Sequence, residues 1–193
     1  PSGNAKVITA LVHTCGLGGD LKGAVESFRK LEQPDLVAVN TFLDACCRTN
    51  RELLAGETFD HYFRKTNVSF KVKPDVVSYS VLICAQLKKE SEESTEHAQA
   101  LYREMKSVFQ IFPDTTLVDI ILKGMVRIGR NQALSQKDVR FLSSVLRDAE
   151  LLPWEPGQLE RRERTVRTVA GERLQEVWKK YGWNDVDSSF RII

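Results

Sequence analysis

The apolar positions of this chain recur at spacings of three and four residues over stretches of about a dozen residues, the pattern of an amphipathic α-helix. Three of these stretches directly follow a Pro-Asp dipeptide and start at Leu36, Val76 and Thr115. Proline disfavours the helical conformation in the residue before it, and aspartate is a good N-cap for the helix that follows. The pattern therefore predicts helices that begin at these three residues.

The helix starts divide the chain into repeats, because they lie 40 and 39 residues apart and the segment from Ala5 has the same register. Each repeat contains a first helix, a polar break and a second amphipathic helix. The predicted units are 5–35, 36–75, 76–114 and 115–154. The predicted breaks are 16–20, 49–51, 88–96 and 129–132, and the acidic break 88–96 is predicted to be a solvated loop.

The second helices are predicted to bury one apolar face. Their side chains recur at spacings of three and four residues. These core positions are Ala24, Phe28 and Leu31 in the first unit, Ala55, Phe59, Tyr62 and Phe63 in the second, and Ala98, Leu101, Tyr102 and Met105 in the third.

Residues 155–193 do not follow the repeat pattern and are predicted to form a C-terminal helical extension, with one long helix from Gln158 to Tyr181. Two interpretations stay open. The helix caps the last unit, as terminal repeats require, or it is a docking surface, because Trp and Arg dominate interface hot spots. The docking residues would be Trp178, Tyr181 and Trp183, of which we expect Trp178 to be buried and Trp183 to be exposed.

Composition and charge fit a folded, nearly neutral protein. The 193 residues include 28 Lys and Arg against 26 Asp and Glu, a formal charge of +2, and 42% are hydrophobic. These values exclude a disordered chain and a polybasic coat. No window contains the roughly 18 uncharged apolar residues of a membrane span, so we expect no membrane insertion.

The sequence offers no motif for catalysis or for a cofactor. The cysteines Cys15, Cys46, Cys47 and Cys84 lack the spacing of a zinc or disulfide framework and are predicted to be reduced, buried, small hydrophobic residues. The three histidines are far apart, and there is no Gly-rich phosphate loop and no zinc deaminase motif. We therefore predict a protein that is not an enzyme and that needs neither a metal nor a cofactor.

The repeats resemble those of the pentatricopeptide repeat (PPR) family, and the resemblance covers about 150 of the 193 residues. The Trp-x-x-Leu-Gly-x-x-Tyr opening of tetratricopeptide repeats is missing. The resemblance implies an all-α, right-handed α-solenoid of about four helix-turn-helix units, with a concave face built from the first helices. The residues that match the family's repeat pattern most closely are Val76, Val77, Ser78, Tyr79, Ser80, Val81, Leu82 and Ile83, then Ala98, Leu101, Tyr102, Glu104, Met105, Pro113 and Asp114.

The resemblance further implies that the array binds single-stranded RNA, one base per repeat. The family's two base-reading positions fall on a hydroxyl or amide and on a carboxylate, which together can offer a donor and an acceptor to a base edge. The implied sequence is 5′-G-U-G-3′, and the fourth unit, with Asp119 and Trp154 at these positions, is assigned no base. The reading pairs are Thr9 with Asp35, Asn40 with Asp75, and Ser80 with Asp114.

Two further sets of residues follow from the resemblance. The base-clamping residues are Val37, Val77 and Thr116, and Lys6 departs from the usual aliphatic residue in the first unit. The residues implied to face phosphates are Arg48, Lys88 and Arg127.

Each of these residues also has an interpretation without RNA. The three aspartates are N-caps in any helical repeat. The reading hydroxyls and the amide could be solvated, the valines could be packing residues, and basic residues near helix C-termini suit the helix dipole.

The implied function is that of an organellar RNA-binding PPR protein that stabilises or processes a transcript or recruits factors to it. Such proteins are nuclear-encoded and act in the mitochondrion or the chloroplast. At about 1–3 kcal/mol of stacking per base, three bases give only millimolar to micromolar affinity. Therefore we expect further repeats at the N-terminus, a partner that adds contacts, or the alternative function. That alternative is a non-catalytic scaffold subunit of a large organellar complex, such as a ribosome or a respiratory or photosynthetic assembly, whose partners are other proteins.

Overall fold

The computed structural model describes residues 3–64, 72–166 and 168, and every regular element in these ranges is a helix. The fold class is therefore all-α, as predicted. The helices are α1 (Gly3–Leu17), α2 (Leu21–Phe28), α3 (Leu36–Arg48), α4 (Glu52–Phe59), α5 (Val76–Lys88), α6 (Glu92–Ser107), α7 (Thr115–Asn131) and α8 (Gln136–Ala149), and residues 158–166 are also helical.

The predicted starts of α3, α5 and α7 are confirmed, and each helix is capped by the aspartate of its Pro-Asp dipeptide. The Oδ1 atom of Asp35 accepts a hydrogen bond from the backbone N–H of the third helical residue at 2.8 Å. Asp75 and Asp114 do the same at 2.9 and 2.7 Å. All three aspartates have extended backbone conformations, as N-cap residues do.

Three of the predicted breaks are wrong in extent, and the first of them, 16–20, is shortened because α1 continues to Leu17. Residues 88–96 do not form a loop, because α6 already begins at Glu92. The hydroxyl of Ser91 accepts from the N–H of Ser94 at 3.2 Å and the hydroxyl of Ser94 accepts from the N–H of Ser91 at 3.2 Å, which starts the helix. In the fourth unit α7 continues through Gly129 to Asn131.

The second helix of the second unit ends in a π-helical turn, Asp60–Arg64. Arg64 at its end donates to the Glu104 carboxylate of α6, at 2.7 Å from Nε and 2.5 Å from Nη2, and also pairs with Asp60. Residues 65–71 lie outside the described ranges.

The described chain forms two compact units. The first comprises the residues up to Lys89 and Glu96–Phe112, and the second comprises Glu90–Thr95 and the residues from Pro113 onward. In the first compact unit α1 packs on α2 and α3, and α3 packs on α4 and α5. The first helices of successive repeats are therefore stacked side by side. In the second compact unit α7 packs on α8.

Aromatic rings join neighbouring hairpins in the first compact unit. Phe28 of α2 stacks on Phe42 of α3, with ring centroids 4.3 Å apart and planes within 9° of parallel. Phe59 of α4 meets Tyr79 of α5 edge to face at 5.2 Å. Such pairs add about 0.5–1.5 kcal/mol to the burial of the rings themselves.

The four cysteines are free thiols, as predicted, but only Cys46 is fully buried and the other three are half-buried. Burial raises the pKa of Cys46 and of Cys47 to about 12, so both remain neutral thiols. Within the described residues, no helix is long and apolar enough to cross a membrane.

The hydroxyl of Tyr79 is fully buried, and no described residue forms a hydrogen bond with it. Burial raises the pKa of this phenol, and the nearby Glu104 carboxylate raises it further. We expect Tyr79→Phe to raise the free energy of unfolding by about 1 kcal/mol, because a buried polar group without a partner is costly. Urea unfolding would measure the change. The control Tyr62→Phe removes a half-buried hydroxyl and should change stability by less than about 0.5 kcal/mol. A destabilised Tyr79→Phe variant would contradict the expectation.

Candidate nucleic-acid interface

Asn40 and Asp75, the reading pair of the second unit, are in direct contact. Asn40 lies in α3, and Asp75 is the N-cap of α5 in the next hairpin. The Nδ2 atom of Asn40 donates a hydrogen bond to Oδ1 of Asp75 at 3.0 Å. The structure therefore brings together two side chains that are 35 positions apart in the sequence.

Ser78 fixes the orientation of this pair. Its hydroxyl lies 2.7 Å from Oδ1 of Asn40 and 2.9 Å from Oδ1 of Asp75, and its backbone N–H donates to the same carboxylate oxygen. The carbonyl of Asn40 thus faces the hydroxyl, and its NH₂ group faces the carboxylate. The opposite orientation would place two acceptors against each other.

The pair keeps hydrogen-bonding capacity for a ligand. The NH₂ group of Asn40 has a second N–H, and Asp75 has a second carboxylate oxygen to which no described residue donates. Asn40 is only 9% exposed, so a ligand can reach its side chain only through a narrow opening. Ser78 is not among the predicted site residues, and its only signal is a serine where the second and fourth repeats have Ala38 and Leu117.

Thr9 and Asp35, the pair of the first unit, line one open cleft between α1 and α3, with a volume of about 1110 Å³. Thr9 is half-buried and donates to the carbonyl oxygen of Ala5 at 2.9 Å. The first-unit position Lys6 and the clamping residue Val37 line the same cleft. The cleft therefore collects the first reading pair, the clamping residue Val37, and Lys6, which departs from the clamping pattern.

The third pair, Ser80 and Asp114, divides between the two compact units. In the first compact unit the half-buried Ser80 donates to the carbonyl oxygen of Val76 at 2.7 Å. In the second compact unit Asp114 caps α7. Each of the two side chains is thus held by its own helix.

The base-clamping residues lie on the first turns of their helices and are open to solvent. Val37 is 64% exposed and Val77 is 48% exposed, and Thr116 is also exposed. Val37 and Val77 are therefore not core residues, and an exposed apolar side chain beside a reading pair can contact the flat face of a base.

The residues expected to face phosphates are largely paired within the chain. Nε of Arg48 donates to Asp44 at 2.6 Å, and this hydrogen bond raises the pKa of the guanidinium. Arg127 forms an ion pair with Glu90. Lys88 is exposed at the end of α5. Carboxylates therefore offset two of the three positive charges.

The fourth unit, to which no base was assigned, has its carboxylate held by ion pairs. Asp119 lies 2.5 Å from Lys123 Nζ and 2.5 Å from Arg162 Nε. Trp154 donates from Nε1 to the carbonyl oxygen of Ala149 at 2.9 Å. Arg162 belongs to the helical residues 158–166, so the start of the predicted C-terminal helix is anchored on α7. Trp178, Tyr181 and Trp183 lie outside the described residues.

Comparison with known proteins supports the fold. No family model matches the chain, and no curated protein matches it in sequence. Among solved structures, the crystal structure of the pentatricopeptide repeat protein PPR10 from maize is similar, with a TM-score of 0.65 and 18% sequence identity over 97% of this chain. The chain spans about a quarter of that protein's length, since the match covers 25% of it. The predicted all-α, PPR-like helical repeat fold is thus confirmed.

Proposed function

We propose that this chain binds single-stranded RNA along the side of α1, α3 and α5 on which the reading pairs lie. The observation that carries the proposal is the hydrogen-bonded Asn40–Asp75 pair, because an N-cap alone does not require an amide from the preceding hairpin. The similarity to a PPR protein of known structure supports it at the level of the fold.

The chemistry of the Asn40–Asp75 pair suits uracil. The carboxylate can accept from the N3–H of the base, and the free N–H of the amide can donate to a carbonyl oxygen of the base. Cytosine has an acceptor at N3, so it would place a lone pair against the carboxylate. Val37 lies three residues before Asn40, and Val77 lies two residues after Asp75. Both side chains are exposed and supply apolar surface for the base.

The first repeat is proposed to read guanine through Thr9 and Asp35 in the cleft, and the guanine proposed for the third repeat rests on the resemblance alone. The proposed sequence is then 5′-G-U-G-3′. Three bases give weak binding, and the ion pairs of Arg48 and Arg127 leave little charge for the phosphates. The affinity should therefore be micromolar or weaker and should fall as the salt concentration rises.

Base preference at the middle position tests the proposal. We expect the parent chain to bind a GUG oligonucleotide better than GGG, and Asn40→Ser to shift this ratio towards GGG by about tenfold, as one base-reading contact is worth roughly 1–3 kcal/mol. Fluorescence anisotropy at low salt would measure both. The control Asn131→Ser changes an asparagine on α7 outside the pairs and should leave the ratio unchanged. Equal binding of GUG, GGG and polyadenylate by the parent chain would disprove base reading.

A second candidate function is a protein-docking scaffold in an organellar complex of a mitochondrion or plastid. The observation that favours it is the neutralisation of Arg48, Arg127 and Asp119 by neighbouring side chains, which leaves these groups less available to RNA. Native mass spectrometry of the endogenous protein separates the two functions. Co-purified RNA supports the first proposal, and stoichiometric protein partners without RNA support the second.

A further inference from the structure

The second compact unit contains an open cleft with a volume of about 500 Å³. It lies between the end of α7 and the C-terminal helix, of which residues 158–166 and 168 are described. The described residues that line the cleft carry two guanidinium groups and two hydroxyl groups, and no carboxylate is among them. These residues are Gly129, Arg130, Arg164, Thr165 and Thr168.

The two guanidinium groups of the cleft have no partner in the part of the chain that the structure describes. Arg130 lies in the last turn of α7 and Arg164 lies on the neighbouring helix, and both side chains are exposed. Neither forms an ion pair or a side-chain hydrogen bond with a described residue. The helix dipole favours one cation at the end of α7, but it does not account for a second cation in the same cleft. Because like charges repel, an anion between the two arginines would be stabilised by both.

Neighbouring arginines on the same two helices are neutralised by carboxylates. Arg127 of α7 pairs with Glu90, which also accepts a hydrogen bond from Asn131 at 2.7 Å. Arg162 of the C-terminal helix lies 2.5 Å from Asp119. Both carboxylates thus have other partners, and the positive charge of the cleft is left for an external anion.

Two threonines add hydroxyl groups beside Arg164. Thr165 and Thr168 are three residues apart, and Thr168 is four residues from Arg164, so the three side chains lie on one side of the helix. The hydroxyls donate to the carbonyl oxygens of Arg161 and Arg164, each at 2.9 Å. Within a helix these oxygens also accept a backbone N–H, so a hydroxyl that turns towards a ligand leaves no carbonyl without a donor. The cleft can therefore offer hydroxyl donors as well as guanidinium donors.

We propose that this cleft binds a phosphate group, held between Arg130 and Arg164 and contacted by the hydroxyls of Thr165 and Thr168. A guanidinium is planar and presents paired N–H donors that match two oxygens of a phosphate. The tetrahedral arrangement of phosphate oxygens lets one group face donors from two helices at once. A planar carboxylate directs its oxygens to one side and suits the cleft less well.

The source of the phosphate that fits the rest of the molecule is the backbone of an RNA strand, and this part of the inference rests on the proposed function. Two of the residues expected to face phosphates, Arg48 and Arg127, are paired with carboxylates. The cleft supplies two guanidinium groups that are not. Free phosphate offers the same oxygens, and the two sources differ in their effect on RNA binding.

Titration with inorganic phosphate tests the site without RNA. NMR would follow the arginine Nε–H signals of the isotope-labelled full chain at constant ionic strength, with chloride as the reference anion. We expect saturable shifts in the millimolar range for Arg130 and Arg164. Because both arginines hold the same phosphate, Arg130→Gln should abolish the shift of Arg164. Arg161, an exposed arginine on the same helix that does not line the cleft, is the reference. Shifts that do not saturate and are equal at Arg161 would overturn the proposal.

RNA binding identifies the source. For a GUG triplet flanked by adenylates on both sides, Arg164→Gln should lower the affinity at low salt by roughly tenfold, because a hydrogen bond to a charged group is lost. It should also reduce the slope of log K against log salt by about 0.7, the value for one phosphate of a single strand. The matched control Arg161→Gln removes the same charge from the same helix and should leave the slope unchanged.

Equal effects of Arg164→Gln and Arg161→Gln on RNA binding would show a diffuse effect of charge and would contradict the site. An unchanged slope in both variants, together with saturable phosphate binding, would assign the site to free phosphate. Failure of base reading looks different. Arg164→Gln should leave the ratio of GUG to GGG binding unchanged, because the cleft contacts the backbone and not a base. If the parent chain binds both triplets equally, base reading is lost, but the phosphate titration and the comparison of the two variants keep their meaning.

Discussion

Replacing Asp75 with alanine is expected to lower the free energy of unfolding by about 2–4 kcal/mol. The change removes the N-cap of α5, which is worth about 1 kcal/mol on its own. It also leaves the buried NH₂ group of Asn40 without its acceptor, and an unsatisfied buried donor costs about 1–3 kcal/mol. Chemical denaturation at neutral pH would measure the loss.

Asp35→Ala provides the matched control. Asp35 caps α3 with nearly the same geometry, at 2.8 Å, but its carboxylate is exposed. Its removal should cost only about 1 kcal/mol. A double-mutant cycle between Asp75→Ala and Asn40→Ala would isolate the bond between hairpins, with a coupling energy of about 0.5–3 kcal/mol. Equal losses for Asp35→Ala and Asp75→Ala would show that the bond between Asn40 and Asp75 adds nothing to stability.

Gly16→Ala should destabilise the protein by about 1–3 kcal/mol, although alanine is a better helix former than glycine. The new Cβ would lie 2.7 Å from the Cβ and 2.9 Å from the Cα of Ala45, so α1 and α3 would have to separate. Overpacking of this kind typically costs about 1–3 kcal/mol. Thermal unfolding monitored by circular dichroism would detect it as a lower Tm.

Gly56→Ala should have the opposite sign. Gly56 lies inside α4, and nothing is within 4 Å of the Cβ that alanine would add there. The gain in helix propensity should therefore stabilise the protein by about 0.5–1 kcal/mol. If both substitutions stabilised the protein, the close approach of α1 and α3 would not be a feature of the native state.

The helix starts could be predicted because their causes are local. Pro-Asp restricts the preceding residue and caps the next helix within four positions, so Leu36, Val76 and Thr115 were located correctly. The start of α6 was missed because acidic and serine residues are typical both of loops and of a first helical turn.

The contacts between hairpins could not be predicted, because they join residues that are distant in the sequence. The sequence shows that Asn40 and Asp75 occupy reading positions, but not that Ser78 binds both. Likewise, Arg127 appears as a free cation near a helix end, and only the fold brings Glu90 to it. Such pairing depends on three-dimensional packing that spacing does not encode. The Arg48–Asp44 pair is different, because its i, i+4 spacing on one helix can be recognised in the sequence.

The Asn40–Asp75–Ser78 contact has a consequence for engineering. A module cut at the repeat boundaries, from residue 36 to residue 75, would carry the amide and the carboxylate but would leave behind the serine that holds them. A graft that transplants this specificity into another array should therefore extend through Ser78. At this site the exchangeable part is the junction between two hairpins rather than one hairpin, because a library assembled from whole repeats would separate Ser78 from the pair that it supports.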